Sequence, residues 1–191
     1  MLHFCAGKRY RVNFIIFDLE ATCWQGNPNG LVQEIIEIGA FMYTQYGEEI
    51  GEYNRFVRPR LNPNLSAFCQ ELTGIEQESI DRARSFGEVI EEFQDWIGIF
   101  DEDYLLCSWG GFDRVMLCQD CALHQIESDW TDPYINLKAQ YREINRLPSA
   151  VGLAKAVRRE GLEFEGFHHR AIDDAANLAR IFVRYLDVWR Y

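Results

Sequence analysis

A chain of 191 residues, 48% apolar and 14% aromatic, is long enough to bury a sizeable core and too apolar to stay disordered. Its formal net charge of −11 argues against a protein that grips long nucleic acid through a broad basic face. It does not exclude an enzyme that takes a few nucleotides at a metal-filled site. No apolar stretch approaches a membrane span, and the start carries Lys8, Arg9 and Arg11 without the apolar run of a signal peptide, so a cytoplasmic protein is expected.

The first strand is read from Phe14-Ile15-Ile16-Phe17, and it runs directly into Asp18-Leu19-Glu20. Side chains alternate across a strand, so Asp18 and Glu20 face the same way. Two like charges at the end of a buried strand repel each other and lose hydration unless a positive group lies between them, and a divalent metal is the natural candidate. The turn formers of residues 23–30 predict a loop. A second strand is expected at about Ile35 to Thr44 and a third around Asn54 to Val57, stopped by Pro59, which together read as an antiparallel meander.

Helical patterning then begins. Leu65 to Leu72 reads as a short helix ended by Thr73-Gly74, and Phe86, Val89, Ile90, Phe93, Trp96 and Ile97 recur at helical spacing. A fourth strand, Tyr104 to Trp109, feeds through Gly110-Gly111 into a helix starting near Phe112. Further helices are expected at about 137–143, at 150–160 with Ser149 as N-cap, and from Ile172 to near the end. Strands followed by strands alternating with helices predict an α/β fold with a mixed sheet of about five strands flanked by helices. With no linker or repeat, residues 13–191 read as one domain behind an extension of residues 1–12.

The last helix offers an internal test. Asp174, Leu178, Ile181 and Tyr185 share one face, while Asp173, Asn177, Arg180, Arg184 and Asp187 share another. Asp174 therefore lies on the stripe that packs inward, where a lone carboxylate is costly, so it needs a metal or a cation. Asp113, at the carboxyl end of the fourth strand, occupies the position where α/β sheets present functional groups, although a first-turn helix acid has the same signature. His168-His169, ahead of the helix, offers an imidazole suited to general-base work, and residue physics does not choose between the two.

Other features are weaker. Six cysteines scattered through the chain suit reduced thiols better than a disulfide framework. Cys118-x-x-Cys121-x-x-His124 invites a zinc reading, but the segment reads as helical and lacks a second cysteine pair. The groups Arg55-Arg58-Arg60, Arg142-Arg146, Lys155-Arg158-Arg159 and Arg170 are candidate phosphate contacts, with solvated surface as the default.

Asp18-x-Glu20, Asp113 and His169-x-Ala171-x-x-Asp174 together resemble the DEDDh 3′→5′ exonucleases of the DnaQ-like, RNase H-like superfamily. The resemblance runs from about Asn13 to Leu186. Asp18-Leu-Glu-Ala-Thr-Cys23, Gln33-Glu-Ile-Ile-Glu-Ile38, Phe68-Cys-Gln-Glu-Leu-Thr-Gly-Ile75 and Ile172-Asp-Asp-Ala-Ala-Asn-Leu-Ala-Arg-Ile181 are similar to the enhancer-of-RNAi and histone-mRNA 3′ exonucleases and to KapD-like proteins.

That resemblance implies a pair of Mg²⁺ or Mn²⁺ ions held by Asp18, Glu20, Asp113 and Asp174, with His169 as general base and nucleoside 5′-monophosphates as products. It places Ala21 and Thr22 near the terminal sugar, and Phe68, Leu72 and Phe112 in the substrate site, the two phenylalanines sandwiching the terminal base; a core role is their rival. The short extension and the acidic surface favour a trimmer of single-stranded RNA or DNA 3′ ends over a reader of RNA stem-loops, with RNA preferred. A DNA-preferring or broad-specificity nuclease and a catalytically silent nucleic-acid-binding protein are the competing expectations. Homodimer formation is left open.

Overall fold

The structure, a computed structural model, describes residues 12–26, 28 and 30–191. Cys5, the basic residues of the N-terminal extension, and Asn27 and Asn29 of the loop lie outside the described residues. Six strands, β1 (Val12–Ala21), β2 (Ile35–Tyr43), β3 (Glu49–Arg58), β4 (Arg84–Ser85), β5 (Asp103–Ser108) and β6 (Tyr134–Asn136), form one sheet in the order β4-β3-β2-β1-β5-β6. Seven α-helices accompany them: α1 (Ala67–Thr73), α2 (Gln77–Asp81), α3 (Phe86–Ile97), α4 (Phe112–His124), α5 (Leu137–Ile144), α6 (Leu153–Arg159) and α7 (Ala171–Arg184).

β1, β2 and β3 form the expected antiparallel meander, while β5 lies parallel to β1 and β6 parallel to β5. The carboxyl ends of β1, β3, β5 and β6 therefore share one edge of the sheet. Alternation along β1 divides the core: Ile15, Phe17 and Leu19 pack with α3 and α4, whereas Phe14 and Ile16 pack with α5, α6 and α7. Asp18 and Glu20 continue the second face. They place their charge where the chain has just laid down buried apolar surface.

Local chemistry sets the helix ends. The hydroxyl of Ser66 accepts from Cys69 N at 3.0 Å to open α1, and Gly74, in the left-handed region at φ 67°, closes it. A capping box between Ser85 and Glu88 opens α3. Several boundaries differ from those read in the sequence. β3 begins at Glu49, and the short β4, β6 and α2 have no counterpart in the sequence reading; each spans two to five residues, too few to show a period. Gly152, and not Ser149, takes the N-cap position of α6, because the carbonyl of Val151 is drawn out of the helix by Trp109 Nε1 at 3.0 Å.

α7 confirms the inward placement of Asp174, which is 3% exposed, and corrects one assignment. Asn177, placed on the polar face, is buried and ties α7 to the preceding loop through Glu165 N and Glu165 O, while also donating to Asp173 O one turn back in the helix. α7 seats on β2 at Gly39, where an added Cβ would fall 2.3 Å from Ile172 N. Among the described residues no helix is long and apolar enough to cross a membrane.

Two glycines give opposite expectations. Gly39→Ala should destabilise the protein by about 1–3 kcal/mol or more, because backbone stands where the methyl would go. Gly87→Ala, in the first turn of α3 with open space around it, should stabilise by about 0.5–1 kcal/mol. Urea melts of the two variants check the pair, and equal effects would contradict the packing of α7 on β2.

Candidate active site

The carboxyl edge of the sheet gathers the acids. Asp18, Glu20 and Asp174 each present a ligand atom within 4.8 Å of the others, with Glu20 9% and Asp174 3% exposed. β1 brings the first two, and a register shift between Glu20 and Ala21 ends its regular pairing immediately after them. α7 brings the third across that face. Asp113 reaches the same edge from the first turn of α4, is 5% exposed, and has the polar groups of Ser108 and the Leu19 backbone near enough to favour its charge. It lies outside the 4.8 Å group, yet its charge acts directly on Asp18.

The electrostatics are those of an unneutralised cluster. Burial, followed by the charges of Asp113, Asp174, Glu20 and Glu37, raises Asp18 well above the usual carboxylate range. Burial and the neighbouring acids push Glu20 up to about 8, and burial pushes Asp113 up to about 6 despite the polar groups beside it. Asp174 is raised by burial and partly relieved by His168 and the His169 amide. Oxygen donors that are close together, partly desolvated and mutually repelling are the donor set that a hard divalent cation satisfies. The residues fit a metal site.

Both oxygens of Asp174 meet the turn before α7. His168 Nδ1 lies 2.8 Å from Oδ1, and the His169 amide donates to Oδ2 at 2.7 Å. His169 adopts a left-handed backbone, φ 69°, and its ring stacks on that of His168 at 4.1 Å between centroids. Burial, and then His168, lowers the pKa of His169, so its imidazole is disposed to be neutral. Of the two, the exposed His168 is the ring that contacts the acids here.

The apolar candidates flank this edge as exposed groups. Phe68 is 39%, Leu72 37% and Phe112 50% exposed, which removes the rival reading of the two phenylalanines as core. Phe68 and Leu72 stand one turn apart on α1, and Phe112 opens α4 one residue before Asp113. Ala21 and Thr22 are buried, and the Thr22 hydroxyl is already committed to Glu34 N at 2.9 Å.

Other candidates go elsewhere. Arg55 pairs with Glu92, and Arg170 forms a two-toothed ion pair with the fully buried Glu37. Arg170 is thus neither solvated surface nor free for a phosphate. Cys118 faces the Thr131 hydroxyl at 3.4 Å, Cys121 is in the core and His124 packs on Phe86, so the three zinc candidates point to separate partners. Sequence reasoning passes over Glu37, although an acid between Ile36 and Ile38 in an apolar strand is a visible signal.

The exonuclease family RNase_T matches residues 15–182. The chain belongs to this exonuclease family. It is 34% identical over 179 residues to the human 3′-5′ exoribonuclease 1, covering 90% of this chain and 51% of that protein. The nuclease domain of 3′hExo, a DEDDh family member solved bound to rAMP, superposes with a TM-score of 0.87 at 32% identity, covering 95% of this chain and 94% of that one. A 3′-exonuclease solved recognising the histone mRNA stem-loop gives 0.84 at 30% identity, covering 94% and 84%. The chain spans about half the length of the curated relatives it matches first. The DEDDh resemblance and the mixed α/β sheet read from the sequence are both borne out.

The raised carboxyl groups give a pH signature for this metal-dependent family's site. A group whose folded pKa lies above its unfolded value stabilises below the unfolded pKa and loses that contribution as pH rises through the folded one. For Glu20 the window runs from 4.5 to about 8. In EDTA, the melting temperature should therefore fall across that window by less in Asp18→Asn than in the parent, because the substitution removes a repelling charge. Identical slopes in thermal melts would contradict the cluster's electrostatics.

Proposed function

We propose that the chain is a metal-dependent 3′→5′ exonuclease that shortens single-stranded nucleic acid, with RNA favoured over DNA, and releases nucleoside 5′-monophosphates. The observation that carries this reading is the convergence of three carboxylates within 4.8 Å, with Asp113 beside them and exposed apolar side chains flanking the same edge. The name of the human relative and the RNA ligands of the two superposed structures support the preference for RNA.

In this reading Asp18, Glu20, Asp113 and Asp174 hold two divalent cations, Mg²⁺ or Mn²⁺. When bound, the cations neutralise the clustered charge and supply the Lewis acidity that phosphodiester hydrolysis needs. The chain's own residues do the rest. Phe68 and Phe112, with Leu72, bracket the terminal base by stacking that tolerates any base, while Ala21 and Thr22 stand beside the terminal sugar, where the Thr22 hydroxyl accepts from Glu34 N and keeps its own proton to donate. His169, kept neutral by burial, accepts a proton from the water that attacks the terminal phosphate, and the bond from phosphorus to the 3′ oxygen of the preceding nucleotide breaks. His168 holds Asp174 and fixes the turn.

Digestion of 5′-labelled single-stranded RNA and matched DNA with Mn²⁺ or Mg²⁺ tests the reading. A ladder shortening from the 3′ end, faster on RNA, lost in EDTA and absent in Asp174→Ala, is the expected result. His169→Ala should slow cleavage by about 10²–10⁴-fold and His168→Ala by far less. The reverse order would move the base to His168, and no cleavage of either polymer would leave a nucleic-acid-binding protein without catalysis.

A further inference from the structure

Glu37 is a fifth acid at the metal-fitting edge that the proposed chemistry does not use. It is fully buried and sits directly opposite Glu20 in the β1–β2 register, a position that puts Cβ atoms about 4.5–5.5 Å apart. Its charge adds to the repulsion felt by both Asp18 and Glu20. By residue type it could serve as a metal ligand like its neighbour, yet its oxygens lie outside the group of Asp18, Glu20 and Asp174 that converges within 4.8 Å.

What distinguishes it is its partner. Arg170 Nε and Nη2 donate to the two oxygens of Glu37 at 3.2 and 3.0 Å, and Ala171 N donates to one of them at 3.1 Å. The guanidinium is itself pinned over the Phe56 ring at 5.4 Å. Arg170 also supplies the carbonyl that accepts from Asp174 N at 2.9 Å, so the residue that covers Glu37 starts the turn carrying Asp174. A planar fork fills both carboxylate oxygens at once, which a lysine cannot do.

We infer that Arg170 is a positioning residue that withholds Glu37 from the cation site, leaving four carboxylates, and not five, to face the ions. Four carboxylates carry the charge of two divalent cations. The covered Glu37 adds none, and serves instead to anchor the start of α7 above Gly39. This rests on the two-cation reading above. Removing Arg170 would free a buried carboxylate beside Glu20, and the ions would be held more tightly and in the wrong place.

The test is Mn²⁺ titration by calorimetry of the full chain, together with RNA cleavage at saturating Mn²⁺. In R170M, Mn²⁺ should bind about tenfold more tightly, while kcat falls about 10–100-fold with KM for RNA little changed. The double variant E37M/R170M, which removes the freed acid, should return Mn²⁺ affinity to near the parent value. A purely structural ion pair would lower the melting temperature of R170M and leave its Mn²⁺ affinity unchanged, and that outcome overturns the inference, as does a double variant binding as tightly as R170M. Should R170M not fold, R170K keeps the charge without the fork and should shift both readouts in the same direction; parent-like values in R170K overturn the inference. A parent protein that binds no Mn²⁺ would overturn the functional reading itself, whereas parent binding with unaltered variants overturns only the role of Arg170.

Discussion

Repulsion among carboxylates held at one edge of the sheet is the constraint to which the rest of this structure answers. Burial, with the charges of the neighbouring acids, raises every one of these carboxyl groups, and Glu20, pushed up to about 8, shows how far that pressure goes. The fold tolerates the strain because two well-packed faces surround it. β1 is apolar on both sides before Asp18, and α7 is anchored on β2 by Gly39 and Glu37 and on the preceding loop by Asn177, so the acids cannot drift apart to relax. A site that is costly without its ligand and rigid enough to stay assembled is poised to bind cations.

Part of this is legible in the residues themselves. Strand alternation puts Asp18 and Glu20 on one face, and the helical period alone selects Asp174 over Asp173 as the inward acid. Both arguments work because they need only a local period. The same helical wheel misplaces Asn177, since a buried amide that satisfies a neighbouring loop looks like any polar side chain in sequence. β4 and β6 are invisible for the converse reason: strands of two and three residues are made by their neighbours rather than by their own pattern.

The pairing of Glu37 with Arg170 is beyond local reasoning altogether. The residues are 133 positions apart, and Arg170 reads as one more basic surface group until the register of β2 and the start of α7 bring them into contact. The exposed Phe68, Leu72 and Phe112 show a different limit. The two phenylalanines sit in apolar neighbourhoods, where a core role rivals a binding one, and their exposure is what removes the core reading. In the proposed reading, that exposed apolar surface beside a charged cluster suits a ligand with an aromatic base at one end and a phosphate at the other.

The central claim is that burial and mutual repulsion bias the clustered acids, Glu20 above all, toward the protonated form, which a metal must displace. Calorimetric titration of Mn²⁺ near pH 7, in buffers of differing ionisation enthalpy, measures the protons released per ion bound. Release of about one proton or more per chain, diminishing as pH rises past the value of Glu20, is the expected result. Binding without proton release and without dependence on pH would contradict the account.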